Sequence, residues 1–274
     1  KNMEKSIVIL GSVLFSFSTQ AATTCPVEEC MSCGTDCLAY VTTLYDQSGQ
    51  NLTWANGQPQ QKLTIIGTGQ MTKFNGITNT PSGNTHGSTA PWEPYWNTVK
   101  EIDISGVETI GDLAFRHFKK VTDITMDDSV HTIGYGAFDY LPNIQNINLS
   151  NTLTTIDRHA FMYTPLKDLV IPASATQISG SIFDHASIQS LYCAENQMAL
   201  CRELLANSGY TEEQINDKLK AYENLGGQYM YQGKFYANPN DILNSKNIKK
   251  RIYTVQEALK LSNKDKNTFK IRYK

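Results

Sequence analysis

The chain of 274 residues is 40% hydrophobic and 18% charged, and its formal net charge is −2. This composition provides enough apolar side chains for a hydrophobic core and excludes an intrinsically disordered protein. The charge is unevenly distributed, because residues 1–217 contain 11 basic and 22 acidic residues, whereas residues 218–274 contain 13 basic and 4 acidic ones. An acidic body is therefore followed by a basic end.

The N-terminus has the pattern of a secretory signal peptide. An apolar run of about 13 residues, residues 6–18, follows two lysines and precedes the small residues of "TQAA". We therefore predict a signal peptide over residues 1–21, with cleavage after Ala21 or Ala22. A membrane-spanning helix needs about 20 apolar residues, so this run is too short to span, and no later run is long enough. The expected product is secreted, extracellular, on the cell surface or in the periplasm.

Residues 22–50 form a Cys-rich N-terminal segment, and six cysteines in an exported chain are expected to form disulfides. Two disulfides are predicted among the four cysteines of this segment, with a tetrahedral zinc site as the alternative; these are Cys25, Cys30, Cys33 and Cys37. Four cysteines allow three pairings, and the sequence does not choose between them. Cys193 and Cys201 are predicted to join the last of the repeats described below to the helix that follows.

Residues 51–98 contain all three tryptophans, Trp54, Trp92 and Trp96, and they precede a repetitive region. The ends of a repeat stack expose apolar faces that must be covered. We therefore interpret residues 51–98 as a β cap module at the N-terminal end of the repeats.

Residues 99–195 repeat one pattern about five times, with spacings of 22, 23, 22 and 22 residues. A period of this length is typical of a solenoid, in which each unit buries its apolar face against its neighbours. Four apolar columns return at fixed offsets: Ile102, Ile124, Ile147, Leu169 and Leu191; Ile104, Met126, Leu149, Ile171 and Cys193; Ile110, Ile133, Ile156 and Ile178; Phe115, Phe138, Phe161 and Phe183.

Segments such as "EIDIS" and "NINLS" alternate apolar and polar residues, which predicts a strand in each repeat with one face buried and one in solvent. The following "AFRHF" and "AFDYL" segments predict a tight helical turn that buries the Phe. The predicted fold class is a β-rich α/β solenoid, with a β N-terminal cap, a helical C-terminal cap and a small α+β tail.

The pattern I-x-I-x-x-x-V-x-x-I-G-x-x-A-F resembles the BspA-type leucine-rich repeat of bacterial secreted and surface proteins. Together with the preceding segment, from "NLTW" to "APWEPYW", the resemblance covers roughly residues 51–195. It implies a leucine-rich repeat solenoid that acts in adhesion or ligand binding rather than in catalysis.

Residues 196–226 are predicted to form a helical C-terminal cap. A first helix ends near Gly209, and a second begins at a capping box of Thr211 and Gln214 and ends near Gly226. The two helices would cover the last repeat.

Residues 227–274 read as a basic α+β unit that begins with a hairpin around Gln232-Gly233. Its cations have three interpretations: they contact an anionic envelope polymer, they pack on the protein's own acidic body, or they form a solvated face. The cations are Lys249, Lys250, Arg251, Lys270, Arg272 and Lys274. We expect no nucleic-acid partner for an exported protein.

The sequence lacks the Gly-x-Ser-x-Gly motif of serine hydrolases, the His-Glu-x-x-His motif of zinc proteases and a phosphate-binding loop. His117 and His185 share one repeat column with Tyr140 and Tyr163. Because they lie three repeats apart, at about 4.8 Å per strand, the two histidines are too distant to share a metal ion. We therefore interpret them as surface or half-buried rings and expect a protein without catalytic activity, cofactor or metal site.

The outward positions of the predicted strands offer a candidate ligand-binding strip. Aligned parallel strands present such positions as a flat, extended surface. The strip comprises Glu101, Asp103, Asp123, Thr125, Asn146, Asn148, Asp168, Val170 and Tyr192. The alternative is that these residues only keep the solenoid in solution.

The sequence thus predicts a non-catalytic module that binds an extracellular protein or glycan. A structural or passenger domain of the bacterial envelope without a ligand is the second interpretation. An enzyme with an unfamiliar site is the third.

Overall fold

The computed structural model describes residues 23–226, 228–232 and 234–244. The predicted signal peptide and the basic residues from Lys246 onward lie outside the described residues. Among the described residues the chain forms fourteen strands and three α-helices. The strands are β1 (Met31–Thr43), β2 (Gln61–Met71), β3 (Val99–Ser105), β4 (Thr109–Ile110), β5 (Asp123–Met126), β6 (Thr132–Ile133), β7 (Asn146–Asn148), β8 (Thr155–Ile156), β9 (Pro165–Val170), β10 (Gln177–Ile178), β11 (Ser187–Ala194), β12 (Leu219–Asn224), β13 (Tyr229–Tyr231) and β14 (Lys234–Tyr236). The helices are α1 (Met198–Asn207), α2 (Glu212–Lys218) and α3 (Asp241–Asn244).

The longer strands stack side by side in parallel, one from each coil, and form the first of two ladders. Strands β2, β3, β5 and β7 pair in register, so that Ile102 lies between Leu63 and Ile124. Strand β9 lies beside β7 without pairing to it, so the ladder is divided there into two sheets. Strand β9 pairs in parallel with β11, which pairs in parallel with β12. Every coil thus adds one strand to the same face.

The second ladder is formed by the two-residue strands β4, β6, β8 and β10, which also pair in parallel. Strand β2 is long enough to join both ladders, because its first part pairs with β3 while Gln70 pairs with Thr109 of β4. The isoleucines of β4, β6 and β8 face the interior and are at most 1% exposed. Each coil is therefore fixed to the next at two places.

The interior between the ladders is filled by a column of stacked aromatic rings. The ring of Phe138 lies between those of Phe115 and Phe161, at centroid distances of 5.5 and 5.7 Å. Trp92 extends the column, since its ring stacks on Phe115 at 5.6 Å and its Nε1 donates a hydrogen bond to the Ala114 carbonyl, at 2.7 Å. The cap module therefore supplies the first ring of the column.

The predicted solenoid is confirmed by the burial of its columns. All the Phe residues of the fourth column and all the strand residues from Ile102 to Leu191 in the first column are at most 2% exposed. Because each column repeats at equal spacing, every side chain in it meets an equivalent one above and below.

The N-terminal end of the first ladder is covered by β1, which runs antiparallel to β2 from Gly34 opposite Met71 to Thr43 opposite Gln61. Two disulfides lie at this end, Cys33–Cys37 within β1 and Cys25–Cys30 in the residues that precede it. The four cysteines of the N-terminal segment therefore form the two predicted disulfides. Cys193 and Cys201 form the third disulfide, which joins β11 to α1 as predicted.

The C-terminal cover differs from the prediction in one element. The predicted capping box of Thr211 and Gln214 is present at the start of α2. The helix, however, ends at Lys218 and not near Gly226, because the next residues add a further strand, β12, to the first ladder. There Leu219 pairs with Leu191, so this segment buries apolar side chains as a strand of an additional coil.

The predicted hairpin after β12 is confirmed by the antiparallel pairing of β13 with β14. Together with α3, this hairpin folds over the outer face of the last strands. A small second hydrophobic cluster forms there, separate from the solenoid interior, and it comprises Val170, Tyr192, Ala194, Tyr222, Tyr236 and Ile242.

The aromatic column makes a prediction for stability. Phe138→Ala should lower the free energy of unfolding by about 3–5 kcal/mol, because it removes a buried ring that has a stacked ring on either side. Chemical denaturation of the two proteins measures the difference. Tyr45→Ala is the matched control, since it removes an aromatic ring that is 60% exposed. Equal losses in the two variants would contradict the role of the column.

Candidate functional site

The strand-ladder face is the outward surface of the first ladder. The register aligns Glu101 with Asp123 and Asn146 in one row. A second row aligns Asp103 with Thr125, which in turn aligns with Asn148. These predicted site residues are half-buried or exposed, and the parallel pairing brings them together as predicted.

The side chains of this face are held by bonds between neighbouring strands. Lys62 of β2 forms an ion pair with Asp103, whose other oxygen accepts a hydrogen bond from Thr125. Asn146 Nδ2 donates to Asp123 Oδ1, at 2.6 Å. Asp103 and Asp123 are thus held by neighbouring strands and remain partly accessible to solvent. The result is a mainly acidic surface.

The exposed part of the strip is shorter than predicted. Val170 and Tyr192 were expected to face outward in solvent, but each is only 1% exposed. The expectation of exposure was wrong because β13 and α3 cover this end of the face, and the ring of Tyr192 lies 5.3 Å from that of Tyr231. Asp168 remains partly exposed beside them.

A second feature is a row of rings on the surface, which we call the ring row. It contains the predicted column of His117, Tyr140, Tyr163 and His185, with His86 at its start. His117 stacks on Tyr140 at a centroid distance of 4.1 Å, and Tyr163 stacks on His185 at 4.7 Å. The ring centroid of His86 lies 4.9 Å from that of His117. The sequence placed the four column residues correctly, but it did not predict that they stack.

A cleft of about 350 Å³ opens where the ring row begins. On its wall, Arg116 Nε donates a hydrogen bond to Asp139 Oδ2, at 3.0 Å. Asp139 is only 3% exposed, and its other oxygen accepts no hydrogen bond from any described residue. The residues that line the cleft are Thr85, His86, Arg116, His117, Lys119, Asp139, Tyr140, Met162 and Tyr163.

Burial and charge alter two titrating groups of the cleft. Burial raises the pKa of the Asp139 carboxyl, and the neighbouring Arg116 guanidinium partly opposes this effect. Burial also lowers the pKa of His117 to about 4, and His86, Arg116 and Lys119 lower it further by charge repulsion. His117 is therefore neutral at physiological pH.

In the part of the chain that the structure describes, no three His, Cys, Asp or Glu side chains are grouped to hold a metal ion. None of the helices described here has both the length and the apolar character needed to cross a lipid bilayer.

Coils of 22–23 residues that each add one parallel strand to a common face define a leucine-rich repeat solenoid. Residues 95–211 match the sequence profile of the family described as "BspA type Leucine rich repeat region", in six copies. Residues 95–211 are therefore similar to the BspA-type leucine-rich repeat, as the resemblance implied. The sixth copy was not among the five counted from the sequence.

Three solved structures of bacterial leucine-rich repeat proteins are similar to this chain. The protein from Eubacterium ventriosum is 22% identical, with a TM-score of 0.43, and the match covers 64% of this chain and 43% of that protein. The protein from Bacteroides capillosus is 22% identical, with a TM-score of 0.25, and the match covers 51% of this chain and 89% of that one. A leucine-rich cell surface protein from Faecalibacterium prausnitzii is 15% identical, with a TM-score of 0.23, and the match covers 71% of this chain and 60% of that protein. A search of curated proteins gives no match.

The lowered pKa of His117 predicts a loss of stability in acid. The folded state binds a proton on this ring less readily than the unfolded state, in which the pKa is near 6.5. The stability due to the neutral ring is therefore present above about pH 6.5 and is lost as the pH falls towards 4. His117→Tyr should reduce the fall in melting temperature between pH 7.5 and pH 4.5, as measured by calorimetry.

Tyrosine is a suitable replacement, because Tyr140 and Tyr163 occupy the same repeat position with a similar positive φ. His185→Tyr, the same change at the exposed far end of the ring row, controls for the substitution itself. If His117→Tyr lost as much stability in acid as the unchanged protein, His117 would not be the group responsible.

Proposed function

We propose that this protein is an exported, non-catalytic binding module whose strand-ladder face holds an extracellular protein partner. The observation that carries the proposal is the row of accessible acidic and amide side chains fixed across adjacent strands. A flat face of this kind suits a macromolecular surface better than a small molecule, which needs a concave site. A glycan is the other ligand class compatible with the polar character of the face.

Charge indicates what kind of partner the face would accept. Glu101, Asp103, Asp123 and Asp168 bring negative charge to the face, and Lys62 is the cation held against it. Complementary potentials speed association and select between partners. A partner surface rich in Lys and Arg is therefore favoured.

Export is supported by two features of the chain. The apolar segment at residues 6–18 has the pattern of a signal peptide. The three disulfides, Cys25–Cys30, Cys33–Cys37 and Cys193–Cys201, are typical of proteins that fold in an oxidising compartment. The proposed location is outside the cell or at its surface.

The basic residues of the C-terminal segment would add a second contact. Lys249, Lys250, Arg251, Lys270, Arg272 and Lys274 lie outside the described residues. We propose that they contact an anionic polymer of the envelope, and that the strand-ladder face remains available to the protein partner.

The proposed face can be tested by charge reversal. The chain is assayed by biolayer interferometry against a panel of purified extracellular-matrix proteins with basic surfaces. We expect saturable binding that weakens as salt is added and that falls roughly tenfold or more in the double variant Asp103→Lys, Asp123→Lys, because like charges then face the partner.

The matched control is the double variant Glu203→Lys, Asp217→Lys, which makes the same change in net charge at exposed positions of α1 and α2. It should bind as the unchanged protein does. Equal weakening in both double variants would show a general charge effect. Unaffected binding in the strand-ladder variant would refute the assignment of this face.

A further inference from the structure

We propose that the cleft at the start of the ring row is a second binding site, specific for a short saccharide that carries a carboxylate. This site is formed by different residues from the strand-ladder face. The cleft is concave, and its volume of about 350 Å³ is at the small end of the range for small-molecule sites.

Asp139 has an unpartnered oxygen. The residue is 97% buried, and among the described residues only its Oδ2 accepts a hydrogen bond, from Arg116. Its Oδ1 accepts none from the described residues, although Asp139 lines the cleft. Buried polar atoms are rarely left without a partner in folded proteins. A ligand hydroxyl that reaches this oxygen from the cleft would supply the missing donor.

His117 lies beside Asp139 in the cleft. Its backbone N–H donates to the carbonyl of Asp139, at 2.9 Å, so the two residues lie in adjacent coils. The ring Nδ1 of His117 is buried and has no hydrogen-bond partner among the described residues. A neutral imidazole offers one acceptor and one donor nitrogen. Two neighbouring hydroxyls on one sugar ring would therefore suit Asp139 and His117 together.

The cleft contains one cation, Lys119, that has no ion-pair partner among the described residues. The charge of Arg116 is balanced by Asp139, at 3.0 Å. Lys119 also lines the cleft, and among the described residues it has no carboxylate within ion-pair distance. Its ammonium lies 4.8 Å from the centre of the Trp96 ring. The ligand should therefore bring one negative charge, and a carboxylate on the sugar provides it.

The remaining wall is apolar and aromatic. Tyr140, Met162 and Tyr163 line this side of the cleft. Their rings and methyl group can contact the C–H surface of a sugar, while the two phenolic hydroxyls can bond to further hydroxyls. The cleft thus combines an apolar wall, two unused buried polar atoms and one available cation.

The test uses the full chain and three probes, D-glucuronate, D-glucose and acetate, followed by ligand-observed NMR titration. We expect saturable binding of glucuronate, with glucose and acetate each roughly tenfold weaker, because each lacks one of the two recognised features. Lys119→Gln should reduce glucuronate binding roughly tenfold, to the level of glucose. Asp139→Asn should weaken both sugars and leave acetate unchanged.

Lys120→Gln is the control for Lys119→Gln. Lys120 is the next residue, its ammonium also lies over a tryptophan ring, that of Trp54 at 5.1 Å, and it does not line the cleft. It should bind glucuronate as the unchanged protein does. A melting curve for each variant shows that it is folded, and Lys119→Gln, at a partly exposed position, tests the site even if Asp139→Asn does not fold.

Four results would overturn the proposal. These are the absence of saturable glucuronate binding, acetate binding as tightly as glucuronate, glucose binding as tightly as glucuronate, and equal effects of Lys119→Gln and Lys120→Gln. None of these results depends on the strand-ladder face, so the site can fail while the proposed protein-binding function stands.

Discussion

The contact between neighbouring coils is the interaction on which this structure depends. A coil of 22 or 23 residues is too short to enclose its own apolar side chains, so Ile124 or Phe138 is dry only because equivalent residues lie on both sides. The strand pairs fix the spacing of the coils, and the stacked rings fill the space between the two ladders. Both candidate sites inherit their rigidity from this stacking, because their residues are held at the strands and turns that the column supports.

The repeated part of the fold could be predicted from the sequence, whereas elements that occur only once, such as β12 and the hairpin after it, could not be placed in the same way. The strands, the buried columns and the Thr211 capping box follow from local sequence patterns. In the coils each pattern recurs in several repeats, which makes it easier to recognise. No repeated pattern in the sequence predicts that the chain leaves the helix after Lys218 and adds β12. None predicts that the following hairpin covers Tyr192. An alternating strand pattern shows which side chains face outward, but it cannot show that a later segment of the chain will fold over them.

The two candidate sites differ in how much of each could be predicted. The strand-ladder face consists of repeat positions, so its membership as far as Asn148 follows from alignment of the coils. The cleft combines a repeat column with unique residues. Arg116 and Asp139 each directly follow the buried Phe of their repeat, so their contact across adjacent coils could be predicted from the sequence. His86 comes from the cap module, whose loops have no period, and its approach to His117 required the structure.

The first ladder ends in a reversed strand on each side. Strand β1 runs antiparallel to β2, and β13 runs antiparallel to β12. These reversed strands lie at the two ends of the ladder, whereas between them parallel strands of adjacent coils lie side by side and are paired except between β7 and β9. A whole coil can be gained or lost between these two ends. Such a change would lengthen or shorten the outer face by one strand, about 4.8 Å, and leave both terminal covers intact. Proteins built on this plan can in this way vary the reach of their surface in fixed steps.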